Sequence, residues 1–419
     1  MMNRRDFLRT LFATTAGSAL FSQSISSALA ASAPKSLIVI FQRGGCDGLN
    51  VVVPYGEDEY YNLRPSIAIP PPGQTGGALD MDTFFGLHPS MFSLHTLYNQ
   101  GNVAVFPAVH YPNASRSHFD SQTYMESART GAGNTVNRFE VSGNIEGWLN
   151  RHLATSTNST GMRGVSFGSD VADSLLGSVS VSSFNDLRSF DLDMEAGAEQ
   201  RLTNRLSTIY NQSSSNNRYY DDLLQSSGQT LFRDLDIVRS IDADNYQPAN
   251  AASYPDNGYG RQLAQAAQLI KAGTGLELAT INFGGWDTHK NQGGAEGGMA
   301  NRLKSFSDGI AAFYADMGTQ MSDVMILTMT EFGRTSKENG SGGTDHGHAS
   351  SWFALGGGLT GGIYGTWPGL AEEQRERGRY LAQSVDYRDI FDEILQRHLN
   401  NANNSIIPNY TASPLGFLA

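Results

Sequence analysis

The chain has 419 residues, 46 of them glycine, with a formal charge of -12 and one cysteine, Cys46. A lone thiol excludes an internal disulfide, so stability must come from an apolar core. The acidic balance excludes a nucleic-acid surface, and an anionic substrate would need a local positive centre of the kind a metal ion supplies.

In chain order, residues 1–30 read as an export signal. Arg4-Arg5 precedes a mildly apolar run from Leu11 to Phe21, and Ala28-Leu29-Ala30 has small residues where a signal peptidase reads. Cleavage after Ala30 removes Arg4, Arg5, Arg9 and Asp6, which takes the charge from -12 to -14. The twin arginine predicts export of the folded protein to the periplasm or beyond. No later run reaches about 18 apolar residues, so no membrane span is expected after cleavage.

Residues 31–419 are expected to form one α/β domain. Leu37-Ile38-Val39-Ile40-Phe41 reads as a buried parallel strand that stops at Gly44-Gly45. His88 to Gln100 reads as a helix, followed by a strand at Val103-Phe106. Residues 190–258 are polar, with helical stretches near 196–212 and 218–242, and read as a helical insertion or a solvated bundle. Leu276–Phe283 is a strand, Met299–Met317 an amphipathic helix, and Val324–Met329 a buried strand.

Each strand leads into a polar loop, and ligands bind at the carboxyl ends of such strands. Asp47 follows the first strand. Arg116-Ser117-His118 follows the second, near the start of a helix to about Ala128. Asp287 and His289 follow the third, and Glu331 the fourth, ahead of Thr344-Asp345-His346-Gly347-His348. Residues two apart on an extended segment share a side, which predicts that Asp287 meets His289 and that His346 meets His348. Oxygen and nitrogen donors on several loops suit a divalent cation. Bland readings stand beside these: Asp47 as a turn cap, Ser117 as a helix N-cap, Asp287–His289 as a bonded pair, and Cys46, His88, His95, His110 and His152 as structural. Gly164-Val165-Ser166-Phe167-Gly168 has the spacing of a nucleophile elbow, but a loop-like approach argues against it.

The ordered motifs Arg43-Gly44-Gly45-Cys46-Asp47-Gly48, Arg116-Ser117-His118-Phe119, Gly285-Trp286-Asp287-Thr288-His289, Glu331-Phe332-Gly333-Arg334 and Gly343-Thr344-Asp345-His346-Gly347 resemble those of the family called domain of unknown function 1501. That family is grouped with the alkaline phosphatase superfamily. The resemblance implies a three-layer α/β sandwich with a mostly parallel central sheet and a metal-dependent hydrolase of phosphate or sulfate esters. It implies that Asp47, Asp345 and His346 hold one ion that activates Ser117, with His118 beside it in the catalytic set. Asp287, His289 and His348 would hold a second ion, and Arg116 or Arg334 would bind the anionic ester. Glu331 occupies the place after a buried strand where the superfamily keeps its Asp-His-Gly, so it is an alternative ligand to Asp345, and one or two ions fit. Zinc leads, with manganese, iron, calcium or magnesium as other candidates. The competing expectation is a secreted binding protein on a degenerate scaffold, working with a second secreted protein encoded nearby.

Overall fold

The computed structural model describes residues 34–130, 146–158, 160–191, 196–211 and 219–419. The expected signal at 1–30 lies outside them.

Strand β1 is Ser36–Arg43. Its side chains alternate between two cores: Ile38 and Ile40 join one, Leu37, Val39 and Phe41 the other. A strand buried on both faces must lie inside a sheet covered on both sides, and this strand does. The other strands of the sheet are β2 (Val103–His110), β3 (Gly164–Phe167), β4 (Ser182–Phe184), β5 (Leu278–Gly284), β6 (Val324–Met329), β7 (Ser350–Gly356), β8 (Gly362–Ile363) and β9 (Val385–Asp386). Their order is β8-β2-β7-β6-β1-β5-β3-β4, with β9 also paired to β2. Neighbours run parallel except around β7, which is antiparallel to β2 and β6. The fold is therefore a mixed α/β sandwich with a mostly parallel central sheet.

One face is covered by α1 (Phe92–Asn99), α6 (Gly258–Lys271) and α7 (Gly298–Met317), the other by α2 (His118–Ser127), α3 (Trp148–Thr155) and α8 (Tyr387–Glu393). In α7 the residues Leu303, Phe306, Ile310, Phe313 and Met317 fall three or four apart, and all are buried. The helix expected from His88 starts later, because His88 and Pro89 form a tight turn in which His88 Nδ1 accepts from Ser90 N at 3.1 Å. β2 runs on past the expected end at Phe106 because its ladder with β7 shifts register between Trp352 and Ser350, beside Pro107. Such an irregularity accommodates a residue that cannot donate.

Helices α4 (Ala196–Asn211) and α5 (Tyr219–Ser240) pack on each other. The Ser182 hydroxyl of edge strand β4 donates to Asp234 Oδ2 of α5 at 2.6 Å, which puts the insertion against the sheet edge. Ser166 lies within β3, fully buried, with its hydroxyl donating to the Asp170 carbonyl at 3.0 Å. A serine inside a strand is not on a strand-to-helix elbow.

His398, near the C-terminus, bonds the Ser36 carbonyl through Nε2 at 3.0 Å and ties the start of β1 to the C-terminal helix. Burial holds its imidazole down to about 4. Because the folded pKa lies below the unfolded value near 6.5, this contribution is present above pH 6.5 and is lost as pH falls toward 4. Urea unfolding across that window should show His398→Gln losing about 3 kcal/mol less stability on acidification than the wild type, and equal losses would refute the assignment.

Candidate metal centre

The loops that leave β1, β5 and β6 meet because glycine allows it. Gly44 and Gly45 have φ of +124° and +72°, and a side chain on Gly44 would come within 2.6 Å of the Asp287 backbone nitrogen. The Gly44 N–H then donates to Glu331 Oε1 at 2.9 Å. Around this junction four side chains converge. His346 Nε2 lies 3.0 Å from His118 Nε2, 3.1 Å from His289 Nε2 and 3.3 Å from Asp287 Oδ1. His289 Nε2 is 3.0 Å from Asp287 Oδ1, and His118 Nε2 is 3.7 Å from Asp287 Oδ2.

The far nitrogen of every ring is occupied. His118 Nδ1 faces Glu331 Oε1 at 2.8 Å, His289 Nδ1 faces Asp345 Oδ1 at 3.1 Å, and His346 Nδ1 faces the Arg116 carbonyl at 3.0 Å. All three acceptors draw the ring proton to Nδ1 and leave an Nε2 lone pair pointing inward. Three lone pairs and a carboxylate at such separations repel unless a cation lies among them. Protons can serve, or a metal ion that displaces them. The donor spacings agree with the edge of about 3.3 Å expected for a tetrahedron with metal–nitrogen bonds of about 2.0–2.1 Å. One donor atom each from His118, Asp287 and His346 lies within 4.8 Å of the others.

The charges are set by these contacts. Burial opposes ionisation of Glu331, but bonds from His118, Gln122 and the Gly44 amide outweigh it and hold the carboxyl below its usual range. Burial likewise opposes the charge of Asp287, and the Arg334 guanidinium at 2.7 Å overcomes it. The Glu331 bond holds the His118 imidazolium up, whereas burial pushes His346 down toward the neutral, ligating form.

The expected site residues divide into those that meet and those that do not. Asp287, His289 and His346 meet as donors, and His118, expected in the catalytic set, joins them. Glu331 and Asp345 stand behind the rings rather than at the centre. Asp47 is elsewhere: its carboxylate takes two bonds from the fully buried Arg64, at 2.6 and 2.8 Å, and one from Gln292 Nε2 at 2.6 Å. Gln292 Oε1 accepts from Thr288 and Thr344 at 2.7 and 2.9 Å, so Asp47 braces both metal-site loops from below.

His348 turns the other way from His346, against its expectation. The segment bends at His348 instead of remaining extended, and His348 Nδ1 pairs with Glu376 at 2.7 Å while its ring packs on His110. Arg334 is buried, with Nε bonded to Thr344 and Nη1 to Asp287, while its Nη2 has no partner among the described residues. Ser117 caps α2, accepting from Asp120 N at 3.5 Å. The Arg116 guanidinium lies over the Tyr380 ring at 4.8 Å, and that of Arg379, absent from the sequence expectations, lies over it at 5.6 Å.

Residues 34–411 match the model of a protein family of unknown function, DUF1501. The chain belongs to that family. No curated protein is significantly similar to it. Among solved structures, the lipoteichoic acid synthase LtaP from Listeria monocytogenes is similar at 8% identity, covering 93% of this chain and 76% of its own, with a TM-score of 0.37. A phosphonate monoester hydrolase of Agrobacterium radiobacter is similar at 11% identity, covering 91% and 78%, with a TM-score of 0.32. Overlaps this loose support no argument about chemistry.

Two variants separate the centre from its support. Elemental analysis should find that His346→Ala loses bound metal while the fold stays intact. Asp47→Ala, which strands the buried Arg64, should instead cost about 3–5 kcal/mol of stability in denaturant unfolding and still bind metal. The reverse pattern would restore Asp47 as a ligand. Glu331→Gln should weaken metal affinity about 10–100-fold in a competitive chelator titration, because it loosens the His118 ring without removing a donor.

Proposed function

We propose that the chain is an exported, metal-dependent hydrolase of phosphate or sulfate esters. His118, His346, Asp287 and His289 would hold one ion, and Ser117 would act as the nucleophile. The observation that carries this reading is the convergence of three Nε2 lone pairs, each fixed by an acceptor behind its ring. When bound, the ion supplies a Lewis acid to the ester and lowers the pKa of a hydroxyl beside it. An imidazole-rich donor set suits zinc, manganese or iron better than calcium or magnesium, which take oxygen ligands.

The chain's own residues supply the rest. Ser117 immediately precedes the ligand His118 at the N-terminus of α2, where backbone N–H groups favour an anion. Arg116 and Arg379 flank this entrance, and their guanidinium groups match the paired oxygens of a phosphate or sulfate. Glu331, Asp345 and the Arg116 carbonyl keep the rings oriented, and Arg334 keeps Asp287 ionised. Among the described residues no helix is long and apolar enough to cross a membrane. That agrees with export by the twin-arginine route, as the first 30 residues suggest.

One observation favours a second reading. With Asp47 consumed by Arg64 and His348 by Glu376, each of the two expected ions loses a donor, and the remaining imidazoles gather at a single centre. A binding protein that keeps one structural ion and acts with another secreted protein would look the same at this centre.

Turnover of 4-nitrophenyl phosphate and 4-nitrophenyl sulfate by the metal-loaded chain distinguishes the two. The hydrolase reading predicts activity abolished by chelation, restored by metal, and reduced by orders of magnitude in Ser117→Ala with metal content unchanged. Stoichiometric metal with no turnover of either ester would favour the binding protein.

A further inference from the structure

A polar cleft of about 460 Å³ opens at the carboxyl ends of β1, β5 and β3, and nothing above assigns it a role. Helix α2 relates it to the metal centre. His118, Gln122 and Glu126 are four residues apart and so share one helix face, at steps of about 6 Å. His118 points its Nε2 into the centre, whereas Gln122 and Glu126 line the cleft. Gln122 joins the two, because its Nε2 donates to Glu331 Oε1, the same oxygen that orients His118. Gln122 and Glu126 thus follow His118 at successive steps of about 6 Å along α2, so the cleft lies beside the proposed ion on the same helix face, and it is there that the alcohol portion of a bound ester would lie.

The lining chemistry restricts that portion. Arg43 is held rigidly, its guanidinium over the Phe41 ring at 3.7 Å and bonded to Asn282 Oδ1 at 2.9 Å and Glu126 Oε2 at 2.7 Å. Against this one cation stand three carboxylates, those of Glu126, Asp170 and Asp173. The cleft thus disfavours anions, the opposite of the entrance flanked by Arg116 and Arg379. Its hydrogen-bonding capacity is in reserve. Asn282 keeps its Nδ2 hydrogens after accepting from Arg43, Gln262 keeps Oε1, and Asn185 has no side-chain partner among the described residues. Carboxylates beside carboxamides are the acceptors and donors that adjacent hydroxyl groups engage. An apolar tail would find little surface here, and a second anionic group would meet like charge.

We infer that this cleft binds the alcohol portion of the ester, and that this portion is an uncharged polyhydroxyl group such as a sugar ring. The inference rests on the hydrolase reading for its orientation, but it has its own readout in binding. The probes are methyl glycosides of neutral hexoses and of the matching uronate. Each is titrated into the full metal-loaded chain by calorimetry and by saturation-transfer NMR.

The inference predicts binding of a neutral glycoside at least about tenfold tighter than the uronate, and a loss of about tenfold or more in Asp170→Ala/Asn282→Ala, the scale of a hydrogen bond to a charged group. Metal content should be unchanged in that variant. No neutral glycoside bound, uronate bound equally well, or equal binding by the variant would overturn it. The comparison of neutral with acidic glycoside on the wild type stands even if the variant misfolds. Glycoside binding without ester turnover would sink the hydrolase reading and leave the cleft assignment intact. Turnover of aryl esters without glycoside binding would do the reverse.

Discussion

Three imidazole nitrogens and a carboxylate meet at about 3 Å in the candidate site, which requires protons or a metal ion shared among them, and the rest of the site follows from that constraint. His118, His289 and His346 each direct Nδ1 at an oxygen behind the ring, which favours keeping the ring proton on Nδ1 and leaving the inward nitrogen as a lone pair. Each acceptor sits on a different part of the chain: Glu331 after β6, Asp345 beside His346, and the Arg116 carbonyl ahead of α2. The centre therefore exists only when the carboxyl ends of the strands are in register. A centre so dependent on the tertiary fold can assemble only once the chain has folded.

The glycine loop after β1 illustrates how one motif can carry two tasks. Gly44 offers its N–H to Glu331 and lets the Asp287 backbone approach, so the loop reaches the centre through its main chain. Asp47, the ionisable residue of that loop, faces the interior and pairs with Arg64, which also binds the Thr335 and Ser336 carbonyls. Through Gln292 the same carboxylate reaches Thr288 and Thr344, which adjoin Asp287, His289 and Asp345 on two of the loops. A buried pair of this kind adds little net stability, but removing one partner is costly, which suits a brace that fixes geometry.

Much of the scaffold was legible because burial on both faces writes itself into runs such as Leu37–Phe41 and Val324–Met329, and because α7 keeps its apolar residues at helical spacing. The pairing of Asp287 with His289 was legible for the same local reason. Asp47 was not, because its partner Arg64 caps a six-residue helix, Asp58–Leu63, too short to carry a periodic signal, and only the tertiary fold brings them together. His348 was misread because alternation applies to extended backbone, and the chain bends at His348 itself. His118 was placed at the site in the catalytic set, and the geometry sets its Nε2 among the inward donors. A clue was available, since the helix that begins there puts an imidazole beside a strand-end loop, with Gln122 one turn behind it.

The most direct test of the central claim is an anomalous-scattering map at a metal absorption edge, from crystals of the protein purified without chelator. The account predicts one peak per chain among His118 Nε2, His346 Nε2, Asp287 and His289 Nε2, at about 2.0–2.2 Å from its ligands. Side chains in place with no peak between them, or a peak at Asp47 instead, would contradict it.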